Sequence, residues 1–99
     1  MNYVNKPEIC RLITLSNSHI SKNTAGFLSD ECGEAAKSQL VVYKMASYGW
    51  MILVSDTYDG FPISEDLADC LEYAKKHECD WLRLDCDGPE MSDLKKYEW

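Results

Sequence analysis

Apolar and polar positions change period several times along this chain, and each change marks an element. "EICRLITLS" (8–16), rich in Ile and Leu with a Thr, predicts a strand. In the stretch that follows, Ala25, Leu28 and Cys32 fall on one helical stripe, with Ser21 or Asn23 as cap and Gly33 as stop. "LVVYKMA" (40–46) predicts a second strand, with Val41, Tyr43 and Met45 opposite Val42 and Lys44. "SYG" (47–49) is a short turn, and "WMILV" (50–54), apolar on both faces, is a third strand that closes a hairpin. Ser64 then opens the clearest helix. Leu67, Cys70, Leu71 and Ala74 stand at i, i+3, i+4 and i+7, with acids in the first turn and Lys75, Lys76 and His77 in the last. "WLRLDC" (81–86) is the fourth strand.

The order β-α-β-β-α-β is that of the ferredoxin-like, split βαβ fold. It predicts a single α+β domain over residues 1–99: a polar arm at 1–7, a core at 8–88, and a C-terminal tail at 89–99 packing on that core. The expected sheet is antiparallel, in strand order 4-1-3-2, with both helices on one face. Its other face then needs a cover. Met91, Leu94, Tyr97 and Trp99 supply apolar groups, and the tail is expected to lie over Trp81 and Arg83 there.

Charge narrows the choice of partner. The net formal charge is −7. Residues 1–55 carry a net of +1, while residues 56–99 set thirteen acids against five bases. Such a field repels nucleic-acid phosphate and anionic membrane and attracts basic protein surfaces. Five cysteines without a C-x-x-C, and no apolar leader in "MNYVNKPEIC", fit reduced thiols in a cytoplasm. No run reaches the ~20 apolar residues of a membrane span.

Several motifs are candidates for chemistry. D-C-D-G after an apolar strand resembles the nucleophile motif of haloacid-dehalogenase-type phosphatases, but too little chain follows to supply the further carboxylates and the lysine. A calcium loop with Gly88 at position six would place Arg83 and Leu94 at ligand positions, which neither can fill. His77, Cys79 and Cys86 match no zinc spacing. Tyr48-Gly49-Trp50 matches the middle of an RNA-recognition signature, yet the flanking basic residue is missing and the charge opposes phosphate. "SNSHIS" (16–21) could receive an anion or small ligand at a helix N-terminus through Ser18 and His19, with His19 as a general base. No metal and no cofactor is expected.

The segments "TLSNSHISKNTAGFL", "YGW" and "CDWLRLDCDGPEMSDLKKYEW" resemble a family of short proteins of unknown function from bacteria, phages and plasmids. Ser16, His19, Thr24 and Ala25 carry the first part of the resemblance. Asp80, Trp81, Leu84, Asp85, Asp87, Gly88, Pro89, Leu94, Tyr97 and Trp99 carry the last. The resemblance brings no activity. It implies a mobile-element setting, in which small acidic proteins often antagonise host defence by binding a nuclease complex or its nucleic-acid site.

The reading that follows is a non-enzymatic, cytoplasmic protein that binds a partner with a basic surface, as an inhibitor of a host nuclease or defence complex. Trp81, Arg83, Asp85, Asp87, Asp69, Glu72 and Trp99 are the expected interaction residues, with no direct contact to nucleic acid or membrane. One alternative is a small enzyme or ligand binder that brings His19 to Asp85 and Asp87. The other is a structural homodimer joined through the open sheet face; monomer and homodimer both remain open.

Overall fold

The structure is a computed structural model, described for residues 6–32, 40–54 and 63–99. Strand β1 (Leu12–Ser16) runs into a 3₁₀ turn (Asn17–His19) and helix α1 (Lys22–Asp30). A hairpin of β2 (Val42–Met45) and β3 (Gly49–Leu53) follows, then α2 (Glu65–Lys76) and β4 (Trp81–Asp85). The order β-α-β-β-α-β is as the periodicity predicts, and the molecule is a small α+β domain. Gly33, the expected stop of α1, and the 1–5 part of the N-terminal arm lie outside the described residues.

The sheet order differs from the expectation. It is β1-β4-β3-β2, not 4-1-3-2, and β1 pairs with β4 in parallel while the other two pairings are antiparallel. Strand β4 therefore sits inside the sheet and β1 at its edge. Two glycines permit the close approaches in this arrangement. A Cβ on Gly49 would stand 1.8 Å from the carbonyl oxygen of Leu84, so only glycine lets β3 lie this close to β4. A Cβ on Gly88 would stand 2.6 Å from the carbonyl oxygen of Leu15, so only glycine lets the turn after β4 press on β1. Leu82 and Leu84 are fully enclosed as a result, whereas Leu12 on the edge strand is exposed.

Side chains alternate across the sheet and divide it into two unlike faces. One row joins Leu15, Leu84 and Trp50; the next joins Ile13, Leu82, Ile52 and Val42. These residues form one core cluster with Ala25 and Leu28 of α1 and with Leu67, Cys70, Leu71 and Ala74 of α2. The four α2 residues are 0% exposed, the stripe their spacing predicts. Burying a leucine of this kind stabilises by roughly 2 kcal/mol, so this face carries most of the fold's hydrophobic stabilisation.

Both helices start at one point. Ser21 caps α1, its hydroxyl accepting from the Thr24 amide at 3.2 Å. Ser64 holds the N-cap position of α2 but makes no capping bond; its hydroxyl meets the Thr24 hydroxyl at 2.9 Å. At its other end α2 is capped by a residue distant in sequence. The Arg11 guanidinium donates to the carbonyls of His77 and Glu78, which places a cation at the negative end of the helix dipole. None of the helices in the described residues is long and apolar enough to cross a membrane.

Candidate interaction surface and the tail that flanks it

The turn D-C-D-G-P builds the first part of the site. The Asp85 carboxylate accepts from the Asp87 amide at 2.8 Å, and the Gly88 amide donates to the Asp85 carbonyl at 2.9 Å. This is an Asx-type turn, in which an aspartate ends the strand by capping its own backbone. Pro89 then turns its carbonyl to the Ser16 amide at 2.9 Å, which sends the tail back along the β1 side of the molecule.

His19 receives the tail. Its ring is 2% exposed. The Met91 amide donates to Nε2 at 2.9 Å, so Nε2 carries the lone pair and the proton resides on Nδ1. Nδ1–H donates in turn to the Lys95 carbonyl at 2.7 Å. Around this pair, the Tyr97 amide donates to the Ser18 carbonyl, the Trp99 indole to the Ile20 carbonyl, and the Ser18 hydroxyl to the Glu90 carboxylate. Met91 and Leu94 pack against the core. The segment 16–20 and the chain's last eleven residues thus form one hydrogen-bonded unit.

This geometry bears on three expectations. His19 has no free nitrogen and no access to solvent, so it lacks what a general base requires. Its partners are Met91 and Lys95, not Asp85 or Asp87, and the triad needed by a small enzyme is not assembled. The tail also does not lie over Trp81 and Arg83, because the Gly88–Pro89 turn directs it to His19 instead. Ser18 and His19 hold no vacant anion site: the anion at the start of α1 is the chain's own Asp66. That buried carboxylate accepts from the Ser21 amide at 2.7 Å and from the Thr24 hydroxyl. Burial opposes its ionisation, but hydrogen bonds from Ser64, Ser21 and Thr24 outweigh it and hold the carboxyl below the usual aspartate range.

Burial disfavours the thiolate at two of the cysteines. All five cysteines are free. Burial, reinforced by Asp66 and Asp69, pushes the Cys70 thiol up to about 12, and its sulfur points at the His19 carbonyl. Burial also pushes Cys32 up, against an opposing effect of Lys44. Asp85, Cys86 and Asp87 bring ligand atoms within 4.8 Å of one another at the surface, with one Asp85 oxygen already engaged by the Asp87 amide.

The second face of the sheet is the remaining feature. Trp81, Arg83 and Asp85 of β4 stand on it, beside Thr14 of β1 and Met51 of β3, and none of them belongs to the core cluster. Tyr43, on β2 opposite Met51, reaches across β3 so that its ring centroid lies 6.1 Å from that of Trp81. Tyr43 remains 53% exposed. The alternation in "LVVYKMA" already put Tyr43 opposite Lys44; what sequence reasoning missed is that this parity gives it to the open face. Trp50, the centre of the Tyr48-Gly49-Trp50 match, lies on the helix-covered side, 6% exposed with the Lys44 ammonium 4.6 Å from its ring.

The expected interaction residues therefore fall in three places. Trp81, Arg83, Asp85 and Asp87 gather on the open face and at its end. Asp69 and Glu72 lie on the outer side of α2, where a shallow groove of about 380 Å³ runs between the helix and the tail, with Tyr73 and Asp93. Desolvation and the neighbouring Asp93 carboxylate push the Tyr73 phenol up. Trp99 stands at the tail's end, 55% exposed, beside a shallow concavity with Asn17, Ser18 and Tyr97.

Residues 12–99 match the model of a family of unknown function, DUF5983, in its C-terminal domain. The chain belongs to that family. Searches of curated proteins and of solved structures give no match. The matched span begins at the first residue of β1 and takes in both the 16–20 segment and the tail that locks onto it.

Proposed function

We propose that this protein acts without catalysis, by binding a protein whose surface is basic around an apolar centre, and that the open sheet face is where it binds. The observation that carries this reading is the Tyr43–Trp81 pair, aromatic side chains on the sheet face that neither helix among the described residues covers. Tyr, Trp and Arg are the residues that dominate binding energy at protein interfaces, and Arg83 stands beside the pair. Acids mark both ends of the β4 stripe, Asp80 before Trp81 and Asp85 and Asp87 after Arg83. A partner that fits this pattern meets apolar groups in the middle and brings lysine or arginine to the rim. A nuclease or defence complex, whose nucleic-acid-binding surface is basic, is the class of partner with that chemistry.

Two considerations weigh against a second copy of the chain as the partner. Each copy brings a charge of −7, and like charges across an interface oppose association. The face is also small. Strands about 4.8 Å apart and about 3.3 Å per residue give roughly 300 Å², against ~800 Å² per partner in a stable interface. A partner has to reach past the apolar centre to the acidic ends, which rewards a basic molecule and not an acidic copy.

The test is affinity capture from the native host with two baits, the unaltered chain and the double variant Tyr43→Ala/Trp81→Ala. A basic protein is expected on the first bait and absent from the second, and its retention should fall steeply as salt is raised. Equal capture by both baits, or capture insensitive to salt, overturns the reading.

A further inference from the structure

We propose that Arg83 is a carboxylate receptor at the centre of the open face, so that the partner presents one carboxylate, from an Asp, a Glu or a chain terminus, within an otherwise apolar contact. This rests on the open face being the binding surface and names one specific anchor on it.

Arg83 is half-buried on the central strand β4. Its Nε donates to the Thr14 hydroxyl at 3.0 Å, which fixes the plane of the guanidinium. Among the described residues, the two terminal nitrogens have no hydrogen-bond partner and no carboxylate lies within ion-pair distance of them. The acid that could have paired with it is Asp85, two residues on and on the same face. Its carboxylate is drawn away into the turn, where it takes the Asp87 amide. What remains is a guanidinium held by one edge, open at the other, and set among Trp81, Met51 and Thr14. An arginine fork of this kind matches a carboxylate through two parallel hydrogen bonds. The surrounding apolar and aromatic groups exclude water and strengthen that pairing. A phosphate offers the same fork geometry, but a polyanion would bring further phosphates against Asp80, Asp85 and Asp87. One isolated carboxylate avoids that repulsion.

The experiment is an NMR titration of the full chain, labelled with ¹⁵N, with two probes of one shape: 3-phenylpropionate and its neutral amide. The acid is expected to move the Arg83 Nε–H, the Trp81 indole N–H and the Thr14 amide in a saturable way, and to bind about tenfold more tightly than the amide. Arg83→Met should abolish the difference between the probes. Thr14→Val, which frees the guanidinium, should reduce it, so the idea is testable even if the first variant fails to fold. Equal binding of acid and amide overturns the proposal. So does an absence of saturable shifts, or a response confined to Lys76 and Lys95 in the groove beside α2. A uridylate oligonucleotide that saturates these signals where the acid does not would point to nucleic acid instead, and would also overturn it. Capture that depends on Tyr43 and Trp81 but ignores Arg83→Met would leave the binding surface in place and remove only the carboxylate.

Discussion

Replacing His19 with alanine should release the tail. In the intact chain the imidazole joins two backbone groups of the tail, the Met91 amide and the Lys95 carbonyl. A net hydrogen bond contributes about 1 kcal/mol, and a buried group left without a partner costs about 1–3 kcal/mol. The ring is enclosed, so His19→Ala also leaves a cavity. The sum is about 3–4 kcal/mol, a large part of the 5–15 kcal/mol typical of a domain. For a chain of this size it should lower the Tm by about 15–25 °C. The decisive measurement is a double-mutant cycle by urea unfolding, with the second change a truncation after Pro89. Without the tail, His19 faces water and its removal should cost about 1 kcal/mol or less. If His19→Ala costs the same in both chains, the side chain stabilises the 3₁₀ turn and not the tail, and the reasoning fails. Native-state hydrogen exchange gives an independent reading. The Met91 and Tyr97 amides should lose protection in the variant while those of Leu82 and Leu84 keep theirs.

Asp66 should make stability fall in acid. Its carboxyl ionises more readily in the folded chain than in the unfolded one. The resulting stabilisation is therefore fully present above the unfolded value of about 3.9 and is lost as the pH drops through the lower, folded one. Asp66→Asn should remove that dependence and cost about 2–3 kcal/mol near neutrality, measured by urea unfolding across pH. Gly49→Ala should prevent folding or cost more than about 4 kcal/mol, since its Cβ meets the Leu84 backbone and φ is +153°; circular dichroism and solubility would show it. Cys70 should resist a thiol reagent in the native protein up to high pH, its thiol standing at about 12, while the exposed Cys10 and Cys86 react at once; mass spectrometry of the labelled chain separates them.

Local periodicity determined the elements of this protein. Leu67, Cys70, Leu71 and Ala74 recur at helical spacing and face the core, because a helix brings such positions to one side whatever it packs on. The same holds for the alternation in "LVVYKMA" and "WLRLDC", and for Ser21 as a cap, which depends only on the next three residues. Strand order was not legible. An alternating strand reads alike at an edge and in the interior of a sheet, and the close approaches that Gly49 and Gly88 permit beside β4 and β1 are contacts distant in sequence.

The candidate site divides in the same way. Trp81, Arg83 and Asp85 were visible as one face of a strand, since parity alone puts them together. That Tyr43 reaches across β3 to Trp81 needed the pairing of β2, β3 and β4 in one sheet. The sequence places His19 and Met91 seventy-two residues apart, and no spacing rule connects them; the fold makes them hydrogen-bond partners. With that bond His19 ceases to be a candidate base and becomes the anchor of the tail, because a ring with both nitrogens committed to backbone has no proton to exchange with a ligand. Pairings of this kind arise only once a chain has closed on itself.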